Sequence, residues 1–205
     1  QPGEPAIERT VILQLKVLAD VGLVGFPNAG KSTLLSVVSA AKPEIADYPF
    51  TTLTPNLGVA DVPGAGSMLI ADIPGLIEGA AEGKGLGDEF LRHVERTAVL
   101  LHLVDATSND VVADYRTIEN EVKAYSVELA SRAKIVVLTK IDASLPELVA
   151  DVEKALKKVV PKGTQIFAIS SQAHMGTKEL LYATLQRVQT ERSKVEAAIE
   201  ADDSL

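Results

Sequence analysis

The sequence predicts an α/β fold: a mostly parallel, six-stranded sheet with one antiparallel edge hairpin and helices on both faces. Three observations predict it. Near-continuous apolar runs (ADVGLVGF, TAVLLHLVDA, KIVVLTK and TQIFAISS) alternate with stretches of helical period, and runs of that kind are what strands buried on both faces require. PNLGVADV and SMLIADI flank the turn PGAG with no room for a helix between them, so they form the antiparallel hairpin. Polar clusters fall at the ends of four of these runs, which places them along the carboxyl edge of the sheet, where open α/β folds bind ligands.

Composition bounds the rest. A chain of 205 residues that is 46% hydrophobic can bury one sizeable core. It contains no cysteine, which excludes a disulfide scaffold and Cys-ligated zinc or iron–sulfur sites. No apolar run approaches the roughly 20 residues of a membrane span, so a soluble, cytoplasmic protein is expected. The net charge of −8 argues against a broad basic face for nucleic acid, because such binding is mostly phosphate neutralisation. Residues 1–17, opening QPGEPAIE, are expected to be a lead-in linker from an N-terminal domain outside this sequence. Residues 18–189 form the α/β domain, and 190–205, TERSKVEAAIEADDSL, are a C-terminal helix or solvated linker tail.

The first strand runs into Gly25-Phe26-Pro27-Asn28-Ala29-Gly30-Lys31-Ser32-Thr33, and STLLSVVSA then continues as a helix. Strand, glycine-rich loop and helix together turn this spacing into a mechanism. The glycines let successive backbone N–H groups point inward as an anion nest, and the helix N-terminus adds partial positive charge. Lys31 is placed to reach β and γ phosphates, and the Ser32 hydroxyl to ligate Mg²⁺. The hairpin's second strand ends in Asp72-Ile73-Pro74-Gly75. There Asp72 is expected to hold the magnesium and the Gly75 N–H to sense the γ-phosphate.

Base choice follows from Thr139-Lys140-Ile141-Asp142. A carboxylate at Asp142 accepts from both the N1–H and the exocyclic amine of guanine, whereas adenine offers no matching donor pair. Ser170, Ser171 and Gln172 follow the last strand, where a backbone N–H can meet guanine O6 and Ser170 can brace Asp142. An ATPase or phosphotransferase on the same loop is the competing class, and a nucleotide sensor with vestigial hydrolysis is a third. The histidines, His93, His102 and His174, share no ligand spacing and are expected to be structural.

Taken in order, these clusters resemble the signature set of G proteins. Two longer stretches, IADYPFTTLTPNLGV (45–59) and DIPGLIEGAAEGKGLGDEFLRHVERT (72–97), resemble the switch regions of the Obg family of bacterial GTPases. The resemblance implies a Ras-like G domain using GTP/GDP and Mg²⁺. It also implies a monomeric cytosolic switch that acts on the large ribosomal subunit and senses guanine nucleotides, including ppGpp. Thr52 matches the switch threonine that closes onto magnesium and γ-phosphate, so Lys31, Thr52, Gly75 and Asn28 form the expected catalytic set. The usual asparagine of the base-reading motif is Thr139 here, which leaves open a contact toward guanine N7 and a tie to the phosphate loop.

Leu76 stands where Ras-type proteins have a water-orienting glutamine, and no arginine lies in the first switch-like stretch. Slow turnover, on the order of 10⁻⁴ to 10⁻² s⁻¹, is therefore expected. Asn28 has two readings. Its tolerance of left-handed backbone suits a tight loop; alternatively its amide oxygen helps ligate a potassium ion beside the phosphates, as in the potassium-activated GTPases that carry asparagine at this loop position.

Overall fold

The computed structural model describes residues 19–41, 44–45, 56–72 and 97–202. They form β1 (Val21–Val24), α1 (Lys31–Val38), β2 (Glu44–Ile45), β3 (Asn56–Val62), β4 (Gly66–Asp72), β5 (Val99–Asp105), α2 (Val111–Tyr125), α3 (Val127–Ser131), β6 (Ala133–Thr139), α4 (Pro146–Val159), β7 (Gln165–Ala168) and α5 (Thr177–Asp202). One sheet takes the order β2-β3-β4-β1-β5-β6-β7. β4, β1, β5, β6 and β7 are mutually parallel, and β3 runs antiparallel to β4. The six expected strands and their hairpin are present. A two-residue strand, β2, adds an outer antiparallel rung on β3, and two residues are too few to leave a periodic signal.

Alternation along β5 shows why its sequence is almost entirely apolar. Val99, Leu101 and Leu103 face a core built with Leu34 and Leu35 of α1 and Leu180, Leu185 and Val188 of α5. Leu100 and Val104 face the other way, toward Ile118 and Val122 of α2, Leu129 of α3 and Leu156 of α4. A strand covered by helices on both faces has no solvent-facing side, and the one polar residue within it, His102, is buried against α2.

The helices start and stop on local chemistry. Asp110 caps α2, its carboxylate accepting the Ala113 N–H at 2.9 Å, and Pro146 occupies the first turn of α4, where its missing N–H costs nothing. The helical pattern Ile118, Val122, Tyr125, Leu129 is divided at Ser126. This residue is extended, ends α2, and its hydroxyl accepts the Leu129 N–H at 3.2 Å to begin α3. α5 continues through Gln189 without a break to Asp202. Among the described residues no helix is long and apolar enough to cross a membrane.

From β1 the chain moves out to the β3–β4 hairpin, then returns past β1 to β5 and onward to β7. This reversal opens a crevice at the carboxyl end of β1, and residues 25–33 occupy it.

Candidate nucleotide site

Close packing shapes the loop after β1. Gly25 has φ 151°, and a Cβ there would lie 2.4 Å from the Leu103 carbonyl oxygen of β5, so only glycine fits. Gly30, at φ 91°, caps α1 in left-handed backbone. Asn28 is also left-handed at φ 62°, which is the conformational role weighed for it, and its side chain is exposed. The loop closes on an Ala29 N–H to Phe26 carbonyl bond of 3.1 Å.

Lys31 turns back over this loop. Its Nζ donates to the carbonyls of Gly25 at 2.9 Å and Phe26 at 3.0 Å, which occupies two of its three protons. Burial lowers its pKa below the ordinary lysine value, and Asp72 nearby pulls it partly back. Ser32 donates its hydroxyl to Asp72 Oδ2 at 2.7 Å. Asp72 closes β4, which pairs directly with β1, and is 5% exposed. Its second oxygen, Oδ1, is buried and has no hydrogen-bond partner among the described residues. A hydroxyl and a half-satisfied carboxylate at the mouth of an anion nest are the oxygen donors that suit Mg²⁺, so these residues fit the ion.

The second half of the site comes from β6 and β7. Thr139, buried at the end of β6, bonds the Ala29 carbonyl at 2.8 Å and the Val104 carbonyl at 3.2 Å. The tie between the end of β6 and the loop after β1 is therefore made, by a threonine hydroxyl in place of an asparagine amide. Lys140 is left-handed at φ 57° and leads into a 3₁₀ turn, Ile141–Ala143, that carries Asp142. The turn is anchored to the next strand through Ile141 N–H to the Ile169 carbonyl, 3.3 Å. Ser170 does not reach Asp142. Its hydroxyl accepts the Ala173 N–H at 3.0 Å, and its backbone pairs with Met175, so it closes its own loop.

A cavity of about 130 Å³ is lined by Gly30, Thr33, Thr139, Lys140, Asp142, Ser170, Ser171 and Gln172. Eight predicted residues from three separate segments thus surround one space. A larger cavity of about 280 Å³ adjoins the loop, with Phe26, Pro27 and Ala29 on one wall and Asp105 on another. Thr52 and Gly75 lie outside the described residues, as does His93. His102 is buried inside β5 and His174 sits at a left-handed turn.

One residue of the site was not anticipated from sequence. Asp105 ends β5, and its Oδ2 pairs with Lys140 Nζ at 2.6 Å. Its Oδ1 accepts from Thr107 N–H at 2.9 Å and Thr107 Oγ1 at 2.7 Å. Burial raises the Asp105 pKa, but these bonds and the lysine charge outweigh it and hold the carboxyl below its usual range. The signal was available: an aspartate terminates a strand that is apolar but for His102, at the same edge as the other clusters.

A glycine-rich loop at the turn of chain direction, a hydroxyl–carboxylate pair at its rim and a cavity beside it define a phosphate-loop domain of the G-protein class. A family model described as "50S ribosome-binding GTPase" matches residues 20–140. The chain belongs to that family, and the Obg character of its switch-like stretches extends along the sequence. It is 56% identical over 190 residues to GTPase Obg of Cytophaga hutchinsonii, covering 91% of this chain and 55% of that protein. It is 53% identical over 188 residues to GTPase Obg of a Cyanothece species, covering 92% and 52%. The chain thus spans about half the length of the curated relatives it matches. Among solved structures, a variant of Era from Aquifex aeolicus bound to GDP and AlF₄⁻ superposes with a TM-score of 0.63 at 28% identity, covering 84% of this chain and 57% of that one.

Proposed function

We propose that this chain is the G domain of a molecular switch that binds GTP and GDP and slowly hydrolyses GTP. The observation that carries the reading is the convergence of the phosphate loop, the Ser32–Asp72 pair and Asp142 on adjoining parts of one crevice. Lys31 offers its remaining proton to the β and γ phosphates, and the loop N–H groups hold the polyphosphate in line. Ser32 and Asp72 would hold magnesium, which would supply charge compensation on the phosphates. Thr52 and the Gly75 N–H complete the γ-phosphate contacts. Asp142 reads the guanine edge, while the loop after β7 walls the base in.

In the whole protein this switch acts at the large ribosomal subunit, in a cytoplasmic setting, as a monomer that also takes ppGpp. The match to a family described as ribosome-binding and to Obg proteins supports the ribosomal part of this reading. Asn28 is the residue that recruits potassium to the transferring phosphoryl group. Its exposed amide stands on the loop rim, and a positioned cation offsets the charge that Leu76 and the absent arginine leave uncompensated. Turnover should be faster in potassium than in sodium at matched ionic strength, and Asn28→Ala should abolish the difference; equal parent rates in both salts would exclude the cation role.

The test of the main reading is base selectivity. Asp142→Asn sets an amide donor against a guanine donor and should weaken GTP binding by roughly 3 kcal/mol, about a hundred-fold. Calorimetric titration with GTP and ATP measures it. Equal binding of ATP and GTP by the parent, or unchanged GTP binding in the variant, would remove the assignment.

A further inference from the structure

We propose that Asp105 is a specificity-positioning residue for guanine: it sequesters the Lys140 ammonium at the end of β5 and so leaves the Asp142 carboxylate free for the base. The proposal rests on the guanine-nucleotide reading above.

Lys140 and Asp142 are two residues apart on one tight turn, and both line the same cavity. A flexible lysine beside a carboxylate in an open cavity is an internal competitor for that carboxylate, because an ammonium can take the acceptor oxygens that N1–H and the exocyclic amine of guanine need. The structure separates the two charges. Lys140 directs its Nζ away from the base cavity to Asp105 Oδ2, 2.6 Å away, on the wall of the neighbouring cavity. Asp142, exposed at its own cavity, makes no hydrogen bond or ion pair to any described residue.

Asp105 is itself held for this task. Thr107 donates to its other oxygen from backbone and hydroxyl, and Ala106 N–H bonds the Thr139 carbonyl at 3.0 Å. The turn after β5 and the turn that carries Asp142 are therefore tied to each other, in the register that pairs Asp105 with Thr139. With its head fixed on Asp105, the lysine stem is drawn along the cavity wall, where its methylenes can cover a base while its charge stays off Asp142.

The test compares GTP with ITP, which lacks the exocyclic amine and so reports one of the two contacts Asp142 makes. In the full chain, Asp105→Asn should lower GTP affinity five- to ten-fold and ITP affinity less, narrowing the GTP:ITP ratio. Lys140→Met removes the competing ammonium, so adding Asp105→Asn to it should leave that ratio unchanged. If Asp105→Asn does not fold, judged by circular dichroism, Thr107→Val is the substitute and should narrow the ratio in the same sense, about two-fold. An unaltered GTP:ITP ratio in the variant used would overturn the proposal. So would an equal loss in the Lys140→Met background, because Asp105 would then act without the lysine. A parent that does not prefer GTP to ATP would instead fail the guanine reading itself.

Discussion

Thr139 joins two strands and the phosphate loop through a single oxygen. Its hydroxyl has one proton to give, and the shorter of its two bonds goes to Ala29 at 2.8 Å in a site where Thr139 is 2% exposed. Thr139→Val keeps the shape and leaves both carbonyls without that donor, which should cost about 1–2 kcal/mol of stability and speed GDP release. Thr139→Ser keeps the bond and should lose far less. Urea denaturation and nucleotide off-rates decide it; equal stability of the Val and Ser variants would show that the hydroxyl does not hold the loop. Sequence placed Thr139 at the right strand end but could not say which acceptor its hydroxyl would find, because that depends on a contact 110 residues away. Gly25, Lys31, Ser32 and Asp142 were legible since their chemistry is carried by local spacing. Asp105 was not, since its partner is set by the β5–β6 register.

At the scale of elements, β5 and α2 share a buried ionisable cluster. His102 of β5 is fully buried, with Nδ1 3.3 Å from Glu119 of α2 and its ring stacked on Tyr115 at 4.8 Å. Lys134 of β6 bonds both Glu119 oxygens, at 3.0 and 2.8 Å. Burial holds the His102 pKa below its ordinary value, with Lys134 adding to the effect and Glu119 opposing it. The unfolded chain therefore binds a proton that the folded chain refuses. This contribution to stability is fully present above about pH 6.5, the unfolded value, and is lost as pH falls from there toward the lower folded value. Asp105 and Glu119, whose pKa values are lowered, lose their contributions only at more acid pH, as the carboxylates protonate. Unfolding free energy should therefore decline between about pH 7 and 5, and His102→Asn should flatten that decline. A slope identical to the parent's would mean that His102 does not control it. The strand carrying this cluster was evident from its apolar run; the cluster was not, since its members come from three elements.

Across the whole molecule, the long helix α5 links the two ends of the described chain. Asp20, just before β1, accepts the Leu69 N–H at 2.9 Å and receives Arg192 on its other oxygen. Its backbone also bonds Leu69, Ala98 and Val99, so one residue gathers β4, β5 and α5 at the amino edge of the sheet. Of the two readings of residues 190–205, a helix or a linker tail, the chain takes the helix as far as Asp202, as a continuation of the helix begun at Thr177, and Arg192 within it is in contact with Asp20. Charge and weak apolar patterning after Gln189 left helix and solvated tail both open, because a single arginine reaching one aspartate leaves no periodic signal. Arg192 is half exposed and Asp20 mostly buried, so solvent screening keeps the pair near the value of surface ion pairs. Arg192→Ala should cost about 0.5–1 kcal/mol. Four residues of β1, at roughly 3.3 Å each, set Asp20 about 13 Å from the phosphate loop, so GTP affinity should not change. Paired urea denaturation and GTP titration of Arg192→Ala, Asp20→Asn and the double variant isolate the coupling. Fully additive losses would show that the two side chains do not act together. A drop in GTP affinity would instead mean that α5 communicates with the nucleotide through β1, and that the far edge of the sheet is part of the switch.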